Sequence, residues 1–181
     1  MKHLNSNRHD NELVLPYSDY VQYVATGHTH MHISNKTDAQ INELLREAQK
    51  AARFFTRKFA QFCNGKKALK RMRHEKNPLI ISHLHTGSLN SASSTIHYHF
   101  AFGNLPDWLT EDDMRLVFEE LWVEKTEQSD KRLWLQQANS DSKSWLHYGH
   151  RENRFGNLLG LDIFSTHIPH DAFPSSLSSV R

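Results

Sequence analysis

Fourteen of the 181 residues are histidine, and several are spaced for chemistry. They recur two apart, at His28, His30 and His32, at His83 and His85, and at His97 and His99. Residues two apart on a β-strand point to the same face. Each set, if extended, therefore makes a line of imidazoles. Two neutral imidazoles at that spacing can converge on one divalent cation, and a third ligand from a neighbouring strand leaves positions open for substrate oxygens. A solvent-exposed face that merely tolerates histidine accounts for one such pair. Three sets, one of them in the strongly strand-like run Ile96-His97-Tyr98-His99-Phe100, favour a metal site.

Strands and helices must hold those rings. Val21 to Ile33, Leu79 to His85, Thr95 to Phe102 and Arg132 to Gln137 read as strands. In the third, Ile96, Tyr98, Phe100 and Phe102 share one face, and His97, His99 and Ala101 the other. A helix is expected from about Asp38 to Phe62. Thr37 and Gln40 form its capping box, and Asn64-Gly65 ends it. Ile41, Leu44, Leu45, Ala48, Ala52, Phe55, Phe59 and Phe62 form its apolar stripe. Its outer side carries Arg46, Lys50, Arg53, Arg57 and Lys58. A second helix, Glu111 to Val123, is capped by Thr110 and Asp113, with Met114, Val117, Phe118, Leu121 and Trp122 facing inward. A third begins near Asp141-Ser142 and carries Trp145, Tyr148 and Glu152.

The order strand, helix, strand, strand, helix, strand, helix is a split βαβ pattern. It predicts an α+β fold with an antiparallel sheet of four to five strands and helices mainly on one face. Helices bury one face, filled by the apolar sets, so the histidine face is expected to lie open. Residues 1–20 read as a polar N-terminal segment, 21–164 as the domain and 165–181 as a flexible tail.

Composition narrows the setting. The chain is 38% hydrophobic and 23% charged, with a formal net charge of +2. No apolar run reaches the ~18 residues of a membrane span, and no signal-peptide core is present at the N-terminus. The single cysteine, Cys63, excludes an internal disulfide or a thiolate metal cluster, and a cytoplasmic setting is expected. Charge is segregated. Arg46 to Lys76 holds eleven basic residues against Glu47 and Glu75, and Asp107 to Asp130 holds nine acids against Arg115 and Lys125. Two solvated helices or a basic face on a near-neutral protein both fit that pattern.

The run His97-Tyr98-His99-Phe100-Ala101-Phe102 resembles the HUH signature of single-strand DNA endonucleases, which include rolling-circle replication initiators, relaxases and related transposases. The resemblance spans roughly Val21 to Phe155. Asn104-Leu105-Pro106-Asp107-Trp108-Leu109-Thr110 and the acidic helix are similar to the linker and helix after that motif in small replication proteins. Trp145-Leu146-His147-Tyr148-Gly149-His150-Arg151-Glu152 resembles the family's third motif, and Thr29-His30-Met31-His32-Ile33-Ser34 stands in the place of its first.

The resemblance implies a divalent cation, Mn²⁺ or Mg²⁺, held by His97 and His99. The third ligand would come from the preceding strand, with His83 the first choice and His85 the runner-up, where the family usually has an acid or amide. An all-imidazole site suits Mn²⁺ or a later transition ion better than Mg²⁺. Tyr148 would be the nucleophile, forming a 5′-phosphotyrosine link. Arg151 stands where the family commonly has lysine; its guanidinium can contact phosphate but is a poor proton acceptor. Lys66, Lys67, Lys70, Arg71 and Arg73 would grip phosphates.

The implied function is site-specific nicking and strand transfer on single-stranded or hairpin origin DNA, beginning rolling-circle replication of a mobile element such as a plasmid. Unwinding would come from a host helicase in trans, because the chain carries no GxxxxGK[ST] loop, and no membrane would be involved. Trp134 and Trp108 could stack bases, although core packing is the plainer expectation for each. Competing readings are a metal-dependent phosphodiesterase using water and an RRM-like single-strand-binding module, which expects aromatics on the open face. A two-histidine phosphoesterase needs a second His-x-Thr/Ser strand beyond His32-Ile33-Ser34, and two long helices argue against a cupin barrel.

Overall fold

The computed structural model describes residues 13–68, 75–86, 94–126, 128, 134–138, 144, 146 and 160–174. Strands β1 (Val21–His32), β2 (Leu79–His85), β3 (Thr95–Gly103) and β4 (Trp134–Gln137) form one sheet in the order β2-β3-β1-β4. Every adjacent pair is antiparallel. β1 and β2 therefore run parallel with β3 between them, and β3 and β4 run parallel with β1 between them. This is the α+β split βαβ arrangement expected from the element order.

Helix α1 (Asp38–Ala68) starts at the expected box, with the Thr37 amide donating to Gln40 Oε1 and the Gln40 amide to Thr37 Oγ1. Gly65, at φ 76°, interrupts it where a glycine stop was read. Helix α2 (Glu111–Phe118) has its capping box between Thr110 and Asp113, then continues as a π-helical stretch, Glu119–Glu124. Both pack on one face of the sheet. Ala48, Ala52, Phe55 and Phe59 of α1 meet Met114, Val117, Phe118 and Trp122 over Ala25, Tyr98, Phe100 and Phe102. Phe62, expected in the stripe, is 44% exposed and sets its ring edge-on to Trp108.

The opposite face is not left open along its length, as the sequence led us to expect. Val21, Val24, Leu79, Ile81 and Ala101 are buried there with Val14, Tyr17, Leu146 and Phe173 in a second core. The covering chain is the 3₁₀ turn Leu15–Tyr20 and the segment 160–173. That segment also lines the edge of β2 through backbone bonds Leu84 to Gly160, Asp162 to Ser82, and the pair Ile80 with His167. Residues 13–20 and 165–173 are thus parts of the packed body, correcting the limits drawn at 21 and 164. Gly103 permits one close approach: a Cβ there would stand 2.1 Å from the Tyr20 carbonyl oxygen.

Candidate metal centre

Register decides which imidazoles meet. His28 of β1 lies opposite His97 of β3, and His97 opposite His85 of β2, so the three form a row across the sheet. His99 is next along the same face, opposite Thr26 on β1 and His83 on β2. Aliphatic residues of the second core occupy the rest of the face, which leaves the imidazoles at one end.

His85, His97 and His99 each offer one nitrogen, and those atoms lie within 4.8 Å of one another. Nitrogens bonded at about 2.1 Å to one tetrahedral ion stand about 3.4 Å apart. The three are thus grouped as a set that could hold one ion once the rings draw together. His85 and His99 are buried, whereas His97 is half-buried and gives the site its mouth. Three imidazoles with access on one side are the ligand set of a centre that keeps a position for substrate.

Local bonds prepare the rings. His97 Nδ1 lies 3.2 Å from the Thr95 carbonyl. A carbonyl only accepts, so Nδ1 carries the proton and Nε2 the lone pair that a cation needs. His99 Nδ1 is hydrogen-bonded to Thr26 Oγ1 at 3.1 Å, which fixes the ring's orientation. Burial, then the neighbouring His85, His97 and His28, pushes the His99 pKa down to about 2. His99 thus stays in its neutral, metal-binding form across the physiological range.

The two candidates for third ligand change places. His85 joins His97 and His99; His83, the first choice, is not in the group. His85 lies directly across from His97 and His83 directly across from His99, so strand pairing alone does not separate the two. His83 is one step deeper and pairs along its other edge with Leu161. Tyr98 points away as expected, buried under the helices with its hydroxyl donating to Asp162 at 2.9 Å.

Trp134 is the feature that the sequence placed wrongly. It lies opposite Thr26, on the imidazole face, and is 40% exposed. Trp108 is 54% exposed, so neither indole belongs to the core. Alternation was the available signal: Leu135 next to Trp134 is the buried residue of β4, which turns Trp134 to the other face.

Tyr148 and Arg151 lie outside the described residues, as do Lys70, Arg71 and Arg73. Lys66 and Lys67 follow Gly65 in the last turn of α1, with their side chains outside the description. Leu146, two positions before Tyr148, is fully buried in the second core, on the imidazole side of the sheet.

No family model matches the chain, and neither curated proteins nor solved structures contain a match. Among the described residues, no helix is long and apolar enough to cross a membrane.

Acid should loosen this fold. Burial lowers the His167 pKa to about 4 and that of His99 to about 2. In the unfolded chain both return to about 6.5. The unfolded state therefore binds more protons below that value, and stability falls with pH by up to about 1.4 kcal/mol per pH unit for each group. In chelator-treated protein, the urea midpoint at pH 5.5 should lie below that at pH 7.5. An unchanged midpoint would contradict this account of the two buried rings.

Proposed function

We propose that this protein is a metal-dependent, site-specific single-strand DNA nickase and strand transferase that works through a 5′-phosphotyrosine intermediate at Tyr148 and begins rolling-circle replication. The observation that carries the reading is the convergence of His97 and His99, two apart on the inner strand β3, with His85 of the neighbouring strand.

A divalent cation on these three residues, Mn²⁺ or a later transition ion rather than Mg²⁺, would supply positive charge to a phosphodiester whose negative oxygens repel a nucleophile. The chain's own residues do the rest. The Tyr148 oxygen bonds to phosphorus as the bond from phosphorus to the 3′ oxygen breaks, and the phenolic proton passes to solvent while the leaving oxygen takes one up. The new phosphodiester retains the energy of the old, so the strand can be rejoined without ATP. Arg151 serves as a phosphate contact, with Lys66, Lys67, Lys70, Arg71 and Arg73 gripping the backbone.

Two features support a nucleic-acid substrate. Trp134 presents an indole on the imidazole face, where a base could stack beside the scissile phosphate. Leu146 sits on that same side, which is where this reading needs the following residues to lead. The RRM-like alternative has Trp134 on the open face in its favour and Tyr98, Phe100 and Phe102, all buried beneath the helices, against it.

Incubation with single-stranded oligonucleotides and Mn²⁺ should give an SDS-resistant protein–DNA adduct, absent in Tyr148→Phe and in His97→Ala. Cleavage by Tyr148→Phe at the normal rate would make water the nucleophile and the protein a hydrolase. Tight binding with no cleavage would leave only a binding module.

A further inference from the structure

We propose that His28 is a fourth imidazole ligand, which makes this a four-histidine centre built for a late first-row divalent cation such as Zn²⁺ or Co²⁺. The inference rests on the metal-binding reading of His85, His97 and His99, and extends it to a third strand.

Three observations carry it. His28 stands directly opposite His97 in the β1–β3 register, on the face that holds the triad, and their ring centroids are 5.9 Å apart. The separations inside the triad are 4.4 to 5.4 Å. His28 is therefore a neighbour of His97 that lies outside the set of nitrogens within 4.8 Å of one another. It is half-buried at the mouth, the side from which a fourth ligand must come.

The backbone at this point is unusually well held. Trp122 Nε1 donates to the His28 carbonyl at 2.7 Å from the helical side. That indole lies so close to the strand that a Cβ on Gly27 would meet it at 2.8 Å. One residue earlier, Thr26 bonds His99. The strand around His28 is thus tied to the core and to the site. Immediately beyond, between His28 and His32, the register with β3 shifts, and His30 and His32 are exposed. They are not part of the constellation.

The donor set selects the ion. Four neutral nitrogens suit Zn²⁺, Co²⁺, Ni²⁺ or Cu²⁺, whereas Mg²⁺ prefers oxygen and keeps its waters. All four rings would hold the ion, and a phosphate oxygen would take the position that His28 gives up. His28 would hold the ion between turnovers and yield the position to substrate.

Stoichiometric Co²⁺ added to the intact, chelator-stripped protein tests this by its visible spectrum. Four-histidine ligation gives the intense bands of tetrahedral Co²⁺, and His28→Gln should weaken those bands and lower the affinity for Co²⁺ by 10-fold or more. His30→Gln, at an exposed neighbour, should change neither. A weak octahedral spectrum from the unaltered protein would overturn the inference whether or not the variant folds, as would full intensity and affinity in His28→Gln. The parent reading fails separately: if His85→Ala and His97→Ala bind Co²⁺ as the unaltered protein does, there is no triad. Loss in those two with no change in His28→Gln rejects only the fourth ligand.

Discussion

His99→Ala should lower divalent-ion-dependent cleavage of single-stranded DNA about 1,000-fold, the rate equivalent of the several kcal/mol that a bound cation contributes to a charged transition state. His99 is chosen because three terms meet on it. It is buried on an inner strand, its Nδ1 is held by Thr26, and its pKa, lowered to about 2, keeps it neutral. On the proposed function, alanine removes a ligand that no water can replace with the same geometry. Thr26→Val should act in the same direction but more weakly, because it frees the ring without removing it. Cleavage by His99→Ala at the unaltered rate, in protein with an unaltered circular dichroism spectrum, would remove the metal from the chemistry.

Phe55→Ala should destabilise the fold by about 3–5 kcal/mol, the range for emptying an aromatic site in a core. The ring is fully buried and touches Phe59, Phe100, Phe102, Phe118 and Trp122, so it joins α1 to β3 and to the end of α2. Phe54, the preceding residue, is 39% exposed and lies against Lys58. Its alanine variant should lose less than about 1 kcal/mol. Urea unfolding of the pair measures the difference directly. Equal midpoints would show that the α1 stripe does not face the sheet as described.

Much of the frame was legible because local rules and tertiary needs agree. Thr37 with Gln40, and Thr110 with Asp113, cap helices where the sequence places caps. Strict alternation in Ile96 to Phe102 set Tyr98, Phe100 and Phe102 opposite His97 and His99, and the sheet keeps them so.

The features that could not be read depend on distant pairing. His83 and His85 share a face and each pairs with a β3 histidine, so only the placement of the ring nitrogens in the folded chain chooses His85. The cover over the second face comes from 13–20 and 160–173, which have neither helical nor strand periodicity to announce them. Their apolar residues, Val14, Leu15, Tyr17, Leu161, Ile168, Ala172 and Phe173, follow no regular spacing. Trp134 was misjudged because indoles are usually buried, while its place in β4 turns it to the imidazole face. The end of α2 departs in a smaller way, since nothing in Glu119 to Glu124 signals i→i+5 bonding.

The most direct measurement is peptide mapping of protein that has been incubated with Mn²⁺ and an oligonucleotide carrying its cleavage site. After trypsin, the nucleotide mass is expected on the peptide between Lys143 and Arg151, at Tyr148, and nowhere when the metal is chelated. Cleaved DNA with no nucleotide on any peptide, or a nucleotide on a different tyrosine, would contradict the account.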